Sequence, residues 1–318
     1  MSDSTYIEQI VQQVNAVTAQ CGPVLLYGEN INYGSRIGGL ARGLTVNDAG
    51  LIRNVGNCEL THMGVGLGML LDGGQAVLFG KQLDFMLLGL EQACDTFNFI
   101  RAFRPRETWG SFTVLVIVCD QGFQGPQSSL NNAGDFASLA NIPVYCLNGA
   151  GDAAQVVARH CVSPGFRFIC VSQRLFGQPV LDAPIEWCSD DGAVFRYRSG
   201  EHATVVGSNF TLREALRIDA GLGGAGLSSD VFHLNYVPGA DLGPIVESCR
   251  RSGKLLLVDD SKTVAKFGDA LVTTLVQADV AVEVLSYDRR GCADVEYGAH
   301  EDRLEVDVSR AVAFVRSA

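Results

Sequence analysis

One carboxylate opens a glycine-rich apolar stretch in a position suited to acid–base chemistry. The carboxylate is Glu59, and the glycines that follow it are Gly64, Gly66 and Gly68. The apolar spacing predicts a helix that begins near Glu59, and the amino end of a helix favours a negative charge. Each glycine costs a helix about 1 kcal/mol relative to alanine, so three of them indicate close packing against another backbone. From residue types alone, Glu59 is either a catalytic carboxyl group or an ordinary carboxylate of a first helical turn.

The elements that must position this carboxylate alternate between apolar strands and helices. Residues 114–119 are all apolar, which is typical of a strand buried on both faces. The pattern predicts an α/β protein with two parallel or mostly parallel sheets flanked by helices. We expect strands at 24–27, 75–79, 114–119, 144–147, 166–171, 203–206, 231–234, 255–258 and 280–284. We expect helices at 5–20, 59–71, 83–99, 135–140, 153–161, 212–220, 242–251, 264–276 and 308–316.

Composition sets the number of domains and the classes of partner. The chain has 318 residues, a formal net charge of −11 and a pI of about 4.9. The length and a change of character over residues 174–202 predict a first domain at 1–185 and a second at 186–318. The acidic balance argues against nucleic acid and anionic membrane surfaces as partners. No apolar run reaches the roughly 18 residues of a membrane span, and the polar amino terminus lacks signal-peptide features, so we expect a cytoplasmic protein.

The cysteines and the early glycines do not form a familiar cofactor motif. None of the ten cysteines belongs to a CxxC pair, so we expect reduced thiols rather than disulfides or a metal cluster. The glycine-rich stretch at 34–43 lacks the spacing of a dinucleotide fingerprint and the lysine of a P-loop. We therefore expect no metal site formed by this chain alone.

Several short motifs occur in an order that is recognisable over nearly the whole chain. They are Gly28-Glu29-Asn30 after the first strand, Glu59 with glycines five and nine residues later, Asp84-Phe85 and Glu91-Gln92. In this order the chain resembles the β subunit of the thiamine-diphosphate-dependent component of 2-oxoacid dehydrogenases (pyruvate, acetoin or branched-chain type). More broadly it resembles the pyrimidine-binding and C-terminal domains of the transketolase superfamily. Each motif is weak alone, and the specificity comes from their order and spacing.

The resemblance implies thiamine diphosphate as the cofactor, with its pyrimidine ring on this subunit. Glu59 would hydrogen-bond a ring nitrogen of the pyrimidine and so promote removal of the thiazolium proton. A carboxyl group suits this role because the pKa of a carboxyl group in a dry interface can shift widely. By the same resemblance, Phe85 would pack against the pyrimidine and Glu29 would line the cleft near the reacting carbon. Phe85 as a core aromatic and Glu29 as a loop carboxylate are the competing interpretations.

The part of the family pattern that is missing predicts a partner. Thiamine enzymes hold the diphosphate and Mg2+ with a Gly-Asp-Gly motif followed by Asn, whereas this chain has only Gly151-Asp152-Ala153 and Gly268-Asp269-Ala270. Mg2+ prefers such oxygen ligands. The resemblance therefore implies an α-type partner subunit that carries the diphosphate and Mg2+ site. It also implies a heterotetramer with two copies of each chain, in which this chain is active only with its partner.

One departure from the family pattern bears on the reaction. Where the dehydrogenase β subunits have Gln-His-Ser after the long apolar strand, this chain has Gln127, Ser128 and Ser129. A serine hydroxyl cannot replace histidine as a base near neutral pH. We expect Gln127 and Ser128 in a substrate loop. His62, one helical turn beyond Glu59, is a second catalytic candidate that could face the same cleft, whereas His160 is expected on an exposed helix face.

Three functional hypotheses follow. The first is a subunit that cleaves a C–C bond next to a carbonyl, as in 2-oxoacid decarboxylation, and transfers the acyl or ketol unit to an acceptor. Within it, the overall pattern favours a dehydrogenase-type subunit, and Ser128 favours a transketolase-like carboligase acting on a ketose or sugar. The second is a non-catalytic scaffold subunit, against which Glu59 argues. The third is an unrelated flavodoxin-like nucleotide-binding protein, because fold alone does not determine function.

Overall fold

The computed structural model describes residues 4–122, 128–289 and 304–317, and its strands form two six-stranded sheets. In the first sheet all strands are parallel, in the order β2-β1-β3-β4-β6-β5. These strands are β1 Val24–Gly28, β2 Leu51–Asn54, β3 Gln75–Gly80, β4 Ser111–Val118, β5 Val144–Leu147 and β6 Gly165–Ser172. The first half of the chain is therefore a parallel sheet, as the alternating pattern predicts.

The second sheet is mixed, with the order β12-β11-β9-β10-β8-β7. Its strands are β7 Trp187–Cys188, β8 Val194–Arg198, β9 Ala203–Ser208, β10 Ser229–Leu234, β11 Lys254–Asp259 and β12 Glu283–Tyr287. The strands β9 to β12 pair in parallel, whereas β7 and β8 form an antiparallel edge. This antiparallel edge falls within the change of sequence character over residues 174–202.

Helices cover both sheets. They are α1 Tyr6–Thr18, α2 Glu59–Leu71, α3 Phe97–Phe103, α4 Ala133–Ala140, α5 Ala150–His160, α6 Leu212–Gly224, α7 Gly243–Ser252, α8 Phe267–Gln277 and α9 Val308–Arg316. The described residues include no helix that is both apolar and long enough to cross a membrane. The predicted α/β class with two helix-flanked sheets is confirmed.

The centre of the first sheet is buried on both faces because its central strands are largely apolar. Along β4, Phe112, Val114 and Val116 belong to one core cluster, and Leu115 and Ile117 belong to another on the opposite face. All eight residues of β4 are buried. This two-sided burial matches the continuous apolar run in the sequence.

Three elements differ from the sequence-based expectations. The strand β2 lies in a polar stretch that was expected to be loop, and the alternation of exposed and half-buried residues along it explains why no apolar run marks it. The single helix expected at 83–99 is instead a 3-10 helix, Leu83–Gly89, a π-helical turn, Gln92–Thr96, and the start of α3. The last helix-strand pair of the second sheet begins about three residues later than expected. The proposed boundary near residue 185 stays a prediction.

Candidate active site

The connections of the first sheet create a crevice at its carboxyl edge. From β1 the chain passes to β2 on one side, and from β3 it passes to β4 on the other. Parallel sheets bind ligands outside the carboxyl ends of the strands, where neighbouring connections diverge in this way. The predicted site residues Glu29, Glu59, Phe85 and Ser128 all follow the carboxyl ends of strands in this sheet. The topology therefore gathers residues that are up to a hundred positions apart in sequence.

Glu59 is the first residue of α2 and is 6% exposed. Its carboxylate forms no hydrogen bond within the described parts of the chain, although it lies in the first turn, where backbone N–H groups lack helical partners. The 3-10 helix that follows β3 lies directly against this turn. A Cβ on Gly89 would stand 3.1 Å from the Glu59 carbonyl oxygen and 2.3 Å from Cγ of Met63, so glycine at position 89 permits the approach.

Glu29 follows β1 and contributes a second carboxylate to the same edge. The residue is half-buried, and its Oε1 atom is buried without a hydrogen-bond partner among the described residues. The strand reaches this point through Gly28, where a Cβ would lie 2.5 Å from the carbonyl oxygen of Phe79. Asn54, at the end of β2, accepts a hydrogen bond from the Ile31 amide at 3.2 Å. This bond ties the loop that follows Glu29 to the neighbouring strand.

Phe85 belongs to the 3-10 helix Leu83–Gly89 and is half-buried against the core cluster beneath α2. Beside it, Asp84 anchors the loop after β4. Oδ1 of Asp84 accepts the amides of Ser129 at 3.0 Å and Leu130 at 3.1 Å, and its Oδ2 is buried without a partner among the described residues. The sequence argument quoted Asp84 only as part of a motif and missed this anchoring role.

Ser128 is also held at the carboxyl edge. Its hydroxyl donates a hydrogen bond to Oε1 of Gln82 at 2.9 Å. Gln127, the other residue of the predicted substrate loop, lies outside the described residues. The hydroxyl of Ser128 thus contacts a side chain that follows β3. This hydrogen bond joins the loop after β4 to the loop after β3. Gln82 had no signal in the sequence beyond its position just after a strand.

His62 lies on the side of α2 that faces β1 and β2. Its Nε2 is 2.7 Å from the carbonyl oxygen of Gly56, which requires the proton on Nε2. Its own carbonyl accepts a hydrogen bond from the Tyr27 hydroxyl at 2.6 Å. The ring lines a cavity of about 400 Å3 together with Arg53, Cys58 and other residues, and Glu59 does not line that cavity. The structure thus gives His62 a role in holding the loop before α2, and its catalytic role stays a prediction.

Two further polar residues near the edge are structural. Asp120 follows the fully buried β4, and its carboxylate accepts hydrogen bonds from the Ser172 hydroxyl and the Arg174 amide. The thiol of Cys58, at the amino end of α2, is exposed and lies 3.1 Å from Oγ1 of Thr61. Hydrogen bonds with Thr61 lower the pKa of the Cys58 thiol. A carboxylate directly after a buried strand, as at Asp120, was a visible signal for a buried polar cluster.

His160 differs from the expectation of an exposed position. It is half-buried and stacks on Tyr145 with ring centroids 4.9 Å apart. Burial lowers the pKa of His160 to about 4. It lies at the amino edge of the sheet and is not part of the crevice.

The nine cysteines in the described ranges are free thiols, and five of them are buried. Within the same ranges, no three His, Cys, Asp or Glu side chains are grouped to hold a metal ion.

Comparison with known proteins supports the fold. No family model and no curated protein matches the sequence. Among solved structures, a split-gene transketolase described as an inactive beta4 tetramer superposes with a TM-score of 0.67. The match covers 97% of this chain and 96% of that chain, at 16% sequence identity. At this identity the likeness concerns architecture, and the chain therefore has a transketolase-like fold over nearly its full length.

Proposed function

We propose that this chain is the pyrimidine-binding subunit of a two-subunit thiamine-diphosphate enzyme. The observation that supports this most strongly is the carboxyl-edge crevice, where Oε1 of Glu29 and Oδ2 of Asp84 are buried without hydrogen-bond partners among the described residues and Glu59 is only 6% exposed. A buried polar group without a partner is costly, so such a group at a ligand-binding edge favours a ligand that completes it. The transketolase-like architecture makes the pyrimidine of thiamine diphosphate the best candidate for that ligand.

The residues present fit the aminopyrimidine half of this cofactor. Such a ring presents both hydrogen-bond donors and acceptors and a flat apolar face. Glu59 and the unpartnered Oε1 of Glu29 provide carboxylate oxygens, and Phe85 provides a half-buried aromatic ring. When bound, thiamine diphosphate supplies an electron sink for cleavage of a C–C bond next to a carbonyl.

In this assignment, the chain contributes a group that can hold a proton and an apolar surface that excludes water. The carboxyl group of Glu59 would hydrogen-bond a ring nitrogen of the bound cofactor and would hold the proton that they share. Glu59 is 6% exposed, so bulk water has little access to its side chain. Phe85 would orient the ring by packing, and Glu29 would position polar groups of the substrate. Ser128 acts by hydrogen bonding only, because its hydroxyl does not titrate near neutral pH.

The partner subunit is inferred from exposed apolar side chains and from the missing diphosphate motif. Leu60 and Val65 on α2 and Leu87 and Leu88 on the following 3-10 helix are all between 42% and 65% exposed. A cluster of this kind beside a site marks an interaction surface. The sequence has no Gly-Asp-Gly, so we assign the diphosphate and Mg2+ to an α-type subunit in a heterotetramer. The solved split-gene transketolase is described as inactive as a beta4 tetramer, and we expect this chain alone to be inactive as well.

For the reaction, we propose cleavage of a 2-oxoacid or of a ketose, followed by transfer of the acyl or ketol unit. Ser128 favours ketol transfer to a sugar or aldehyde as the second candidate. Its hydroxyl is committed to Gln82, and the loop residues described around it offer no imidazole for proton transfer to a lipoyl acceptor. The two candidates differ in the acceptor and share the same first step.

The test uses this chain together with an α-type partner and compares wild type with Glu59→Gln. We expect thiamine diphosphate and Mg2+ to bind in the mixture and to give turnover of either 2-oxoacids or ketose phosphates. Loss of the proton-holding carboxyl group should lower turnover by roughly 100-fold to 10,000-fold. The matched control is Glu201→Gln, which changes an exposed carboxylate of the second half of the chain and should retain full turnover.

The other outcomes separate the remaining hypotheses. Cofactor binding in the mixture without turnover in any variant would favour a scaffold subunit. Equal turnover of wild type and Glu59→Gln would remove Glu59 from the mechanism. An absence of thiamine diphosphate binding in the mixture would refute the cofactor assignment itself.

A further inference from the structure

A second cavity lies at the amino edge of the first sheet, opposite the candidate active site. It has a volume of about 490 Å3 and is formed where β4, β5 and β6 begin. We call it the amino-edge cavity, and its polar lining is dominated by Arg101, Arg106, Arg167 and His160. None of its lining residues is acidic, although the chain as a whole has a net charge of −11. A cavity with three guanidinium groups and no carboxylate therefore contrasts with the rest of the molecule.

Arg167 is the deepest of these cations. It is 4% exposed, and its Nη1 donates to the Ser111 and Thr113 hydroxyls, both at 3.1 Å, and to the His160 carbonyl at 2.7 Å. Its Nη2 donates to the Pro164 carbonyl at 2.9 Å. All four acceptors are neutral. Burial lowers the pKa of Arg167 to about 10, so the group stays protonated near neutral pH. A buried charge that only neutral groups contact remains to be balanced.

The other two arginines lie at the rim, where Arg101 is half-buried and Arg106 is exposed. Arg101 donates to the carbonyls of Asn141 at 2.9 Å and Ala140 at 3.2 Å and to Oδ1 of Asn98, and its guanidinium lies over the ring of Phe97. Arg106 lies over the ring of Trp109 at 5.7 Å. Within the described ranges neither forms an ion pair with a carboxylate. Burial, followed by repulsion from Arg106, lowers the pKa of Arg101.

The nearest acidic groups do not neutralise the cavity. Glu107 follows Arg106 in sequence but is exposed and does not line the cavity. Asp191 influences Tyr145 and His160 electrostatically, and its carboxylate accepts hydrogen bonds from Ser189 and Ala193. His160 is neutral at pH 7 because burial lowers its pKa to about 4. The cationic character of the cavity therefore comes from the arginines alone.

The apolar side chains of the cavity indicate the chemistry of the rest of the ligand. Phe97, Trp109 and Tyr145 provide aromatic surface, and three prolines line it as well. Guanidinium groups match phosphate oxygens in a bidentate geometry, and a volume of this size suits a small organic molecule. We propose that the amino-edge cavity binds a phosphate monoester, with the phosphate between the arginines and the organic part against the aromatic wall. No residue of the carboxyl-edge crevice contributes to it.

The test is calorimetric titration of the full-length chain at low ionic strength. The probes are adenosine monophosphate, glycerol 3-phosphate and inorganic phosphate. We expect one site per chain, tighter binding of the esters than of inorganic phosphate, and weaker binding as salt is added. Arg101→Gln and Arg106→Gln change rim residues and should each weaken ester binding at least about tenfold, because each removes a charge-assisted hydrogen bond to the phosphate. Arg42→Gln, an exposed arginine that does not line the cavity, is the matched control and should bind as wild type.

A double variant with both rim substitutions keeps the test independent of the buried Arg167. Its folding is checked by circular dichroism before titration. Ester binding that is unchanged in the double variant would place the site elsewhere and overturn the proposal. Failure of all three probes to bind the wild type at millimolar concentration would also overturn it. Inorganic phosphate binding as tightly as the esters would refute the role of the aromatic wall and hence the assignment of a monoester.

Discussion

At the scale of single residues, the structure separates polar groups that complete the fold from those that remain available. Asp120 is fully hydrogen-bonded to Ser172 and Arg174. Glu29 and Asp84 each have one buried oxygen without a partner among the described residues. Buried polar atoms are nearly always paired in proteins. The unpaired oxygens therefore direct attention to the carboxyl edge of the first sheet, where Glu59 also lies.

The buried histidine of the second sheet leads to a prediction about acid stability. His233 is fully buried on β10, and burial lowers its pKa to about 4. Because an unfolded histidine titrates near 6.5, the unfolded state takes up a proton first as the pH falls. The stabilising contribution is complete above pH 6.5 and is lost as the pH falls towards 4. It amounts to about 3 kcal/mol for a shift of this size.

Urea unfolding of wild type and His233→Gln between pH 7 and pH 4 measures this contribution. The difference between their free energies of unfolding should shrink by about 3 kcal/mol over that range. His202→Gln, which replaces an exposed histidine, should give a curve parallel to wild type. A constant difference between wild type and His233→Gln at all pH values would contradict the prediction.

At the scale of secondary-structure elements, only one of the three glycines of α2 lies in close contact with the rest of the fold. A Cβ on Gly66 would stand 2.1 Å from a ring carbon of Phe112. A Cβ on Gly68 would have no atom within 4 Å, and one on Gly64 would meet only Gln92, at 4.0 Å. The expected close packing against another backbone is therefore a packing of Gly66 against an aromatic ring. The other two glycines leave space on the helix surface.

These contacts predict opposite effects for two glycine-to-alanine substitutions in the same helix. Gly66→Ala should destabilise the protein by about 1–3 kcal/mol, because overpacking against Phe112 outweighs the gain in helix propensity. Gly68→Ala should stabilise it by up to about 1 kcal/mol. Chemical denaturation of both variants checks the pair. An increase in stability for Gly66→Ala would show that the Phe112 ring moves freely.

At the scale of the whole molecule, a buried polar cluster joins the two sheets. Arg174 follows β6 of the first sheet, and its Nη2 is 2.9 Å from Oδ2 of Asp260, which follows β11 of the second. Asp260 also accepts a hydrogen bond from Asn209 at 2.7 Å. Asn209 donates to Asn131 at 2.7 Å as well. The carboxyl edges of both sheets therefore meet at a cluster that water does not reach.

Removing the central cation should weaken the whole molecule. In Arg174→Met, the carboxylates of Asp120 and Asp260 would remain buried without their cation, and we expect a loss of roughly 3–5 kcal/mol. Arg196→Met is the matched control, since Arg196 lies 3.6 Å from Glu186 and both side chains are 38% exposed. Its loss should stay below about 1 kcal/mol. Thermal or chemical unfolding of the two variants compares them, and similar losses would mean that the cluster is dispensable.

The sequence by itself determined the elements whose patterns are local. Continuous apolar runs such as β4 are recognisable because a parallel strand is buried on both faces, and nearly all helices and strands were found from this signal. The two-sheet α/β class follows from the alternation of those elements. The single carboxylate at the start of α2 was likewise visible as a candidate, because charge and helix start coincide at Glu59.

Only the tertiary structure decided what depends on contacts between distant residues. The strand β2 pairs with β1 through its backbone, so its polar side chains concealed it. The helix expected at 83–99 changes between 3-10, π and α geometry, and Gly89 within it lies close to the first turns of α2. The cationic cavity at the amino edge combines Arg101 and Arg106, which are five positions apart, with the distant Arg167. Such groupings arise from the order of strands in the sheet, which local sequence patterns do not specify.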